Sequence, residues 1–380
     1  MSQLNKAGAF TLLSVACLTI MVGCVIVPGL NPIAQQLGVA QAASWLITVP
    51  SLGVVVFGPL AGKAIDKTGA HGALRWGLFL YGLLGAGGVF LHGTIPVMLN
   101  RLLLGGATAL VMASGTGLIS TFYQGQSRLK MIARQGMSIE LGGVIFLSIG
   151  GLLATAGWRW PFLLYLVAWL LLIMLMLFVP QPDKVGQGRE ENIALPPASG
   201  SLKIIWFAAV CSMICFFTGV IVIPQRFHDI GINAAQTGYF LSFISLVAVI
   251  AAFFLPRLLT LLSDKKTLRL AFLLYALAHL IFVFAATLPG FIAGGIAMGF
   301  GFGLSVPLVN HMTVEQSTES VRGRNLAWLA MAIFSGQFLS SFMEFIPGEL
   351  SVVFGGAAIF ALIALACLMP GGRAPAKKRK

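Results

Sequence analysis

Twelve apolar runs of 20 residues or more succeed one another along this 380-residue chain: 9–30, 43–65, 74–93, 95–122, 131–156, 160–180, 202–224, 235–263, 267–287, 289–314, 323–346 and 350–370. About 20 such residues, coiled as a helix, cross the roughly 30 Å hydrocarbon layer of a bilayer. Backbone polar groups in lipid have no water to bond, so runs of this length must be helices. The chain is therefore expected to be an all-α membrane protein with 12 transmembrane helices. Charged residues make up 9% of it, against about 25% in soluble domains. The runs leave no room for a soluble catalytic domain.

The formal net charge is +13, which in a soluble chain would suggest nucleic acid. The distribution argues against that partner. Lys63, Lys67, Arg75, Arg128, Lys130, Arg134, Lys184, Arg189, Lys203, Arg257, Lys265, Lys266, Arg269, Arg322 and Arg324 fall in alternate connections or the helix ends beside them. Lys6 and the tail RAPAKKRK share that side, while the opposite connections hold little beyond Arg159 and Arg226. Positive connections stay in the cytoplasm. The expectation is a cell-membrane protein with both termini cytoplasmic, no nucleic-acid partner, and a tail that anchors topology and touches anionic lipid. The opening MSQLNKAGAF reads as the start of span one, not as a secretory signal, because eleven further spans follow.

One long polar stretch interrupts the pattern, QPDKVGQGREENIALPPASGS at 181–201. Its Gly, Pro, Ser and charged residues read as a linker. It divides the chain into two expected six-helix bundles, 1–180 and 202–380, with the basic tail ending the second. Weak internal similarity supports two pseudo-symmetric halves, a common transporter plan. GKAIDKTGAHGALR after span two corresponds to TLLSDKKTLRL after span eight, and ARQGMSIELGG to GRNLAWLAMAIFSGQ. Glycines inside the spans, such as GG at 105–106, 142–143 and 150–151, are read as close helix contacts.

Glu140 is a lone carboxylate deep in span five. An ionisable residue there costs about 2.5–3.5 kcal/mol on insertion scales and marks a function. Arg101 lies in span four at a depth expected to differ from that of Glu140 by about 9 Å, from the 1.5 Å rise per residue. Three readings stand: Glu140 exchanges a proton while Arg101 tunes it, the two form a fixed pair that pins two helices, or Glu140 recognises a cationic substrate. Glu344 and Glu349, near the outer ends of spans eleven and twelve, are expected to be solvated. His311 reads as a hydrogen-bonded helix-end residue and His279 as packing or lipid-edge. Cys17, Cys24, Cys211, Cys215 and Cys367 all lie in spans. Cys211 and Cys215 share a face but have no neighbouring histidine, so no metal site and no cofactor are expected. No G-x-x-x-x-G-K-[ST] loop occurs, which argues against ATP drive, and no H-E-x-x-H or G-x-S-x-G suggests an enzyme.

The connection after span two reads G-x-x-x-D-K-x-G, with Gly62, Asp66, Lys67 and Gly69 preceded by Gly58 and Pro59. It resembles the cytoplasmic signature of the major facilitator superfamily. LNRLLLGGATA with Arg101 and Gly105, GWRWPF at 157–162, and IPQRFHDIGINAAQTGYFLS at 223–242 are similar to further stretches of that family, the last to its drug:proton antiporter branch. The branch's fifth-span G-x-x-x-G-P-x-x-G-G is only partly kept. Gly142, Gly150 and Gly151 fit, and Phe146 and Leu147 stand at the Gly-Pro positions.

The resemblance implies a monomeric transporter that rocks two bundles about a central cleft, with Asp66, Lys67 and the glycines latching the halves in the outward-open state. Ala70 and His71 stand where the family has basic residues, and Arg75 is expected to substitute in part. The resemblance also implies cavity-lining positions: Met21, Met112, Phe216, Phe217, Tyr239, Asn310 and Gln337. Methionines and aromatics would suit amphipathic or apolar molecules better than sugars. The expectation is proton-coupled export of a small molecule, with uptake of a metabolite as the alternative and a transport-dead receptor as a different class.

Overall fold

The computed structural model describes residues 4–182, 200–318 and 321–368. The expected linker therefore lies almost wholly outside the described residues, and the basic tail does so entirely. Among the described residues, eleven helices are long and apolar enough to cross a membrane. One of them, Trp45–Phe90, has 46 residues, roughly 69 Å at 1.5 Å per residue, or twice the bilayer core. It breaks at Gly69, whose φ of 77° and ψ of 157° leave the helical region. A side chain is strained there and glycine is not. The break yields two crossings, α2 (45–68) and α3 (70–87), and brings the total to the expected twelve.

The others are α1 (Lys6–Cys24), α4 (Thr94–Phe122), α5 (Gly125–Ala156), α6 (Val167–Phe178), α7 (Gly200–Asp229), α8 (Ala234–Leu261), α9 (Asp264–Phe284), α10 (Leu288–Glu315), α11 (Arg322–Leu339) and α12 (Leu350–Cys367). Short side chains set several starts. Asn5 Oδ1 accepts from the Gly8 N–H at 2.7 Å, and Asn233 and Gln236 form a reciprocal cap on α8. Pro28 ends α1, because it has no N–H to continue the ladder. A 3-10 turn follows at Val27–Gly29, then a short helix at Leu30–Gln36. At this break the Ile26 N–H turns to the Gly23 carbonyl at 3.2 Å, which leaves the Val22 carbonyl free for another donor.

The helices pack in two groups of six. In the first, α2 and α3 lie against α4, and α1 lies against α4, α5 and α6. In the second, α9 lies against α10 and α12, α8 against α10, and α7 against α11. Chain direction alternates, so the Gly69 turn and the start of α1 share one face with most of the Lys and Arg. This is the basic face, and its opposite is the far face. The groups meet through α5 with α8, through α2 with α11, and where the α1 break touches α7 and α8. These joints belong to the far half. Gly151 of α5 and Gly238 of α8 approach so closely that a Cβ on either would collide with the other helix's backbone. Ser148 and Ser242 bond at 2.8 Å, the Ser242 hydroxyl also donates to the Val144 carbonyl at 2.9 Å, and Thr48 bonds Ser341. Trp45 packs edge-on against Phe338 with ring centroids 6.1 Å apart. On the basic side of Glu140, α5 is exposed at 132–134 and 136–137, with only Met131 and Gln135 buried. The interface is sealed at the far face and opens as a cleft toward the basic face.

Candidate functional site

Glu140 stands at the apex of that cleft. Small residues on α5 bring it close to two other helices. Gly142 packs on Cys17 of α1, whose thiol donates to the Ser138 carbonyl at 3.0 Å. Gly143 faces Ile20 of α1 and Ser245 of α8. One turn beyond Glu140, the Val144 carbonyl takes the cross-bundle bond from Ser242. The half-buried Glu140 thus marks the level at which the two bundles part. Among the described residues its carboxylate makes no hydrogen bond and no ion pair. Among the described residues it is the one acid in the middle of a span.

A direct pairing with Arg101 is not what the structure contains. Arg101 is 1% exposed. Its Nη1 donates to the Tyr165 hydroxyl at 3.0 Å, and its guanidinium carbon lies 5.3 Å from the Phe162 ring centroid and 5.8 Å from that of Tyr165. Tyr165 in turn donates to the Val22 carbonyl at 2.8 Å, the group freed by the α1 break. Tyr81 donates to Leu18 one turn earlier at 2.7 Å. The physical reason is depth and direction. Arg101 lies seven residues inside the far end of α4 and Glu140 sixteen inside that of α5, about 14 Å apart along the helix axes at 1.5 Å per residue. The guanidinium has turned onto the aromatic rings before α6, a cation–π arrangement. Nη2 has no partner among the described residues.

The second bundle contributes an aromatic and hydroxyl wall. Phe216 stacks on Phe302 with centroids 4.0 Å apart, and Phe217 meets Phe216 edge-on at 5.6 Å. Beside them Ser212, Tyr275 and Ser305 form a buried hydroxyl triangle with sides of 2.6, 3.0 and 3.1 Å. Met112 and Phe334 pack against Val54, Ala61 and Ala109, which carries α11 onto α2 and α4. Phe302, Phe334 and Tyr165 were not expected from the sequence. No local motif marks them, because their roles follow from neighbours on other helices.

Two expected lining residues lie elsewhere. Met21 is fully enclosed in the first bundle. Tyr239 is 49% exposed and shares its outward stripe with Leu246, Ile250 and Phe253, so it faces lipid. Gln337 is buried beside Gly23 of α1 in the far half. Asn310 is exposed and donates to its own helix at the Val306 carbonyl, 3.0 Å away. His311 pairs with Glu315 at 3.3 Å one turn on. His279 is buried and bonds the Cys215 carbonyl of α7 at 2.8 Å, a packing role.

In the Gly69 turn, Gly62, Asp66, Lys67 and Arg75 are exposed. Asp66 makes no ion pair among the described residues. Only Gly69 needs to be glycine for its backbone. Gly62 is helical with open space around it. The two departures from the motif are structural: Ala70 is buried, and His71 is buried with Nε2 3.1 Å from the Val179 carbonyl. Glu344 corrects a further expectation. It is not simply solvated. It accepts from the Gln225 side-chain amide of α7. Glu349 is exposed at the head of α12.

The profile of the Major Facilitator Superfamily matches residues 11–341, and again 205–380. The uncharacterized transporter YycB of Bacillus subtilis (strain 168) is 23% identical over 297 residues, covering 74% of this chain and 71% of that one. Among solved structures, a POT family transporter in complex with 5-aminolevulinic acid superposes with a TM-score of 0.77 at 12% identity, covering 95% of each chain. The inward open conformation of the xylose transporter XylE from E. coli gives 0.73 at 16% identity, covering 96% of this chain and 97% of that one.

Proposed function

This chain belongs to the major facilitator superfamily, and from that premise we propose a proton-coupled exporter of small amphipathic or apolar molecules that works by alternating access. It is a transporter, not an enzyme. The reading rests on one observation: Glu140, an acid without a partner, stands where the cleft ends and the bundles separate. An ionisable group kept at that depth is kept for its chemistry. It takes a proton when the far side opens and releases it to the basic side, which the positive-inside pattern assigns to the cytoplasm of a cell membrane, with both termini there. Substrate enters the cleft from that side. Met112, Phe216, Phe217 and Phe302 offer it adaptable apolar and aromatic surface.

The moving bodies are 1–180 and 202–380, joined by 181–201. Asp66, Lys67, Gly69 and Arg75 are disengaged in the state described and latch the basic face when the far seal opens. Arg101 acts at one remove, holding the α1 break through Tyr165 and so fixing the wall against which Glu140 works. The working unit is a monomer in lipid. The test is transport in inverted vesicles with a collapsible pH gradient. Wild type is expected to accumulate substrate only while the gradient stands, and Glu140→Gln to lose that dependence. Unchanged gradient-driven transport in Glu140→Gln would reject the coupling role.

One feature favours uptake as a second reading. α5 runs unbroken through Phe146 and Leu147, where the antiporter element has Gly-Pro, and one solved neighbour of the same fold is a D-xylose-proton symporter. Net flux into right-side-out vesicles, driven by an inward proton gradient, would select it.

A further inference from the structure

We propose that the far face of the first bundle binds the headgroup of an anionic phospholipid, in a cavity of about 360 Å³ whose lining includes Gln36, Phe90, His92, Trp158 and Arg159. The site is separate from the cleft and from Glu140, and it holds whichever way transport runs. All three far-face connections of the bundle meet there. Gln36 ends the short helix after the α1 break. Phe90 and His92 belong to the turn from α3 to α4, and Trp158 and Arg159 to the turn from α5 to α6. The first two connections are stitched together. The Gly93 N–H donates to the Leu37 carbonyl at 2.8 Å, and His92 Nδ1 lies 3.2 Å from the Gln36 carbonyl. That closeness needs glycine at 38, where φ is 70° and a Cβ would strike the His92 ring.

The cation of this cavity has no acid to meet it. The Arg159 guanidinium carbon lies 5.1 Å from the Trp158 ring centroid, a cation–π contact. Trp158 meets Phe162 edge-on at 6.4 Å, which fixes the indole against the bundle. Arg159 forms no ion pair among the described residues. Residues 1–180 contain two acids, Asp66 in the Gly69 turn on the basic face and Glu140 in mid-span. No carboxylate of the first bundle therefore stands at this level. Of the second bundle's far-face acids, Asp229 lies 3.9 Å from His228, Glu344 accepts from Gln225, and Glu349 heads α12. The charge of Arg159 is left for an anion from outside the chain. The apolar rim selects the source of that anion. Phe90, a wall of the cavity, is 88% exposed, and Ile95 in the first turn of α4 is 81% exposed. Trp160 and Leu163, just past Arg159, are exposed as well. Such side chains at the end of a span face headgroups and acyl chains. A lipid phosphate at Arg159 brings tails that cover Phe90 and Ile95, whereas a free anion answers only the guanidinium. The Gln36 amide adds a neutral donor. A choline headgroup would bring its own cation against Arg159, so a net negative lipid is favoured.

The test titrates the full chain in neutral detergent with dioleoylphosphatidylglycerol, dioleoylphosphatidylcholine or free glycerol 3-phosphate, and counts bound copies by native mass spectrometry. At a lipid concentration that fills the wild-type site, Arg159→Gln is expected to retain one phosphatidylglycerol fewer. Its affinity for that copy should fall about fivefold, the worth of one basic residue at a charged surface. Trp158→Leu should weaken the same copy, and Arg159→Lys, which keeps the charge, should hold it better than Arg159→Gln. Arg226→Gln removes the same charge from the same face outside the cavity and should leave the count unchanged. Retention by Arg159→Gln equal to that of wild type or of Arg226→Gln overturns the site. Phosphatidylcholine held as tightly as phosphatidylglycerol overturns the choice of a net negative headgroup. Displacement of the extra phosphatidylglycerol by an equal concentration of glycerol 3-phosphate overturns the lipid in favour of a soluble anion. If Arg159→Gln does not fold, Arg159→Lys and Trp158→Leu carry the comparison, and wild-type retention in both overturns the site.

Discussion

Arg101 and Glu140 are both charges inside the first bundle, and their surroundings are opposite. Arg101 is walled in by Phe162 and Tyr165, bonded to a hydroxyl, and tied through it to the backbone of α1. Glu140 sits at the end of an open cleft with no partner among the described residues. A charge held by aromatic rings and a hydroxyl within one bundle serves architecture. A charge left unmet at a junction between moving bodies is available for exchange. In the proposed cycle this contrast separates a structural ion from a working one, although the two lie on neighbouring helices.

The sharpest way to break that contrast is Glu140→Gln. If Glu140 and Arg101 were a buried pair, removing one partner would destabilise by about 3–5 kcal/mol. With no such pair, Glu140→Gln is expected to keep its melting temperature near wild type while gradient-driven transport falls at least tenfold. Thermal unfolding in detergent and vesicle flux on the same preparation check both halves. Next in size is Tyr165→Phe, which orphans both Arg101 Nη1 and the Val22 carbonyl. A loss of about 1–3 kcal/mol is expected, with flux per folded molecule largely kept. Flux that falls as far as in Glu140→Gln would move Arg101 into the working class. Ser148→Ala removes one bond of the α5–α8 joint while Ser242 keeps the Val144 carbonyl. About 0.5–1.5 kcal/mol is expected, read as a small drop in melting temperature. Smallest is Asp66→Asn. Its exposed, unpaired side chain predicts a stability change within about 0.5 kcal/mol, yet a slower transport cycle if the latch closes only in the other state.

The span pattern, the basic face and Glu140 were legible in the sequence because each depends on local composition. The partner of Arg101 was not. Hydropathy starts span five at residue 131, while the helix starts at Gly125, because Arg128, Lys130 and Arg134 lower the apolar signal of a turn and a half that is still helical. The aromatic residues that claim the guanidinium lie some 60 positions away in the 3-10 turn before α6. Tyr239 misled for a related reason. Its place on α8 is set by which side of that helix Gly238 and Ser242 press onto α5, and a single sequence does not record that. Glu344 read as a surface acid because it is near a helix end, and only the approach of α7 to the turn after α11 shows what it touches. Gly69 was legible and Gly62 was over-read. Both suit a turn motif, but only one bears a backbone angle that requires glycine.

The far seal is made of hydroxyls and of glycine backbones in contact. Counter-ions screen exposed opposite charges over a distance of about 8 Å at physiological ionic strength, so a gate built of salt bridges would loosen in brine. This one presents almost nothing for dissolved ions to compete with. Closure of the far mouth is therefore expected to depend little on ionic strength.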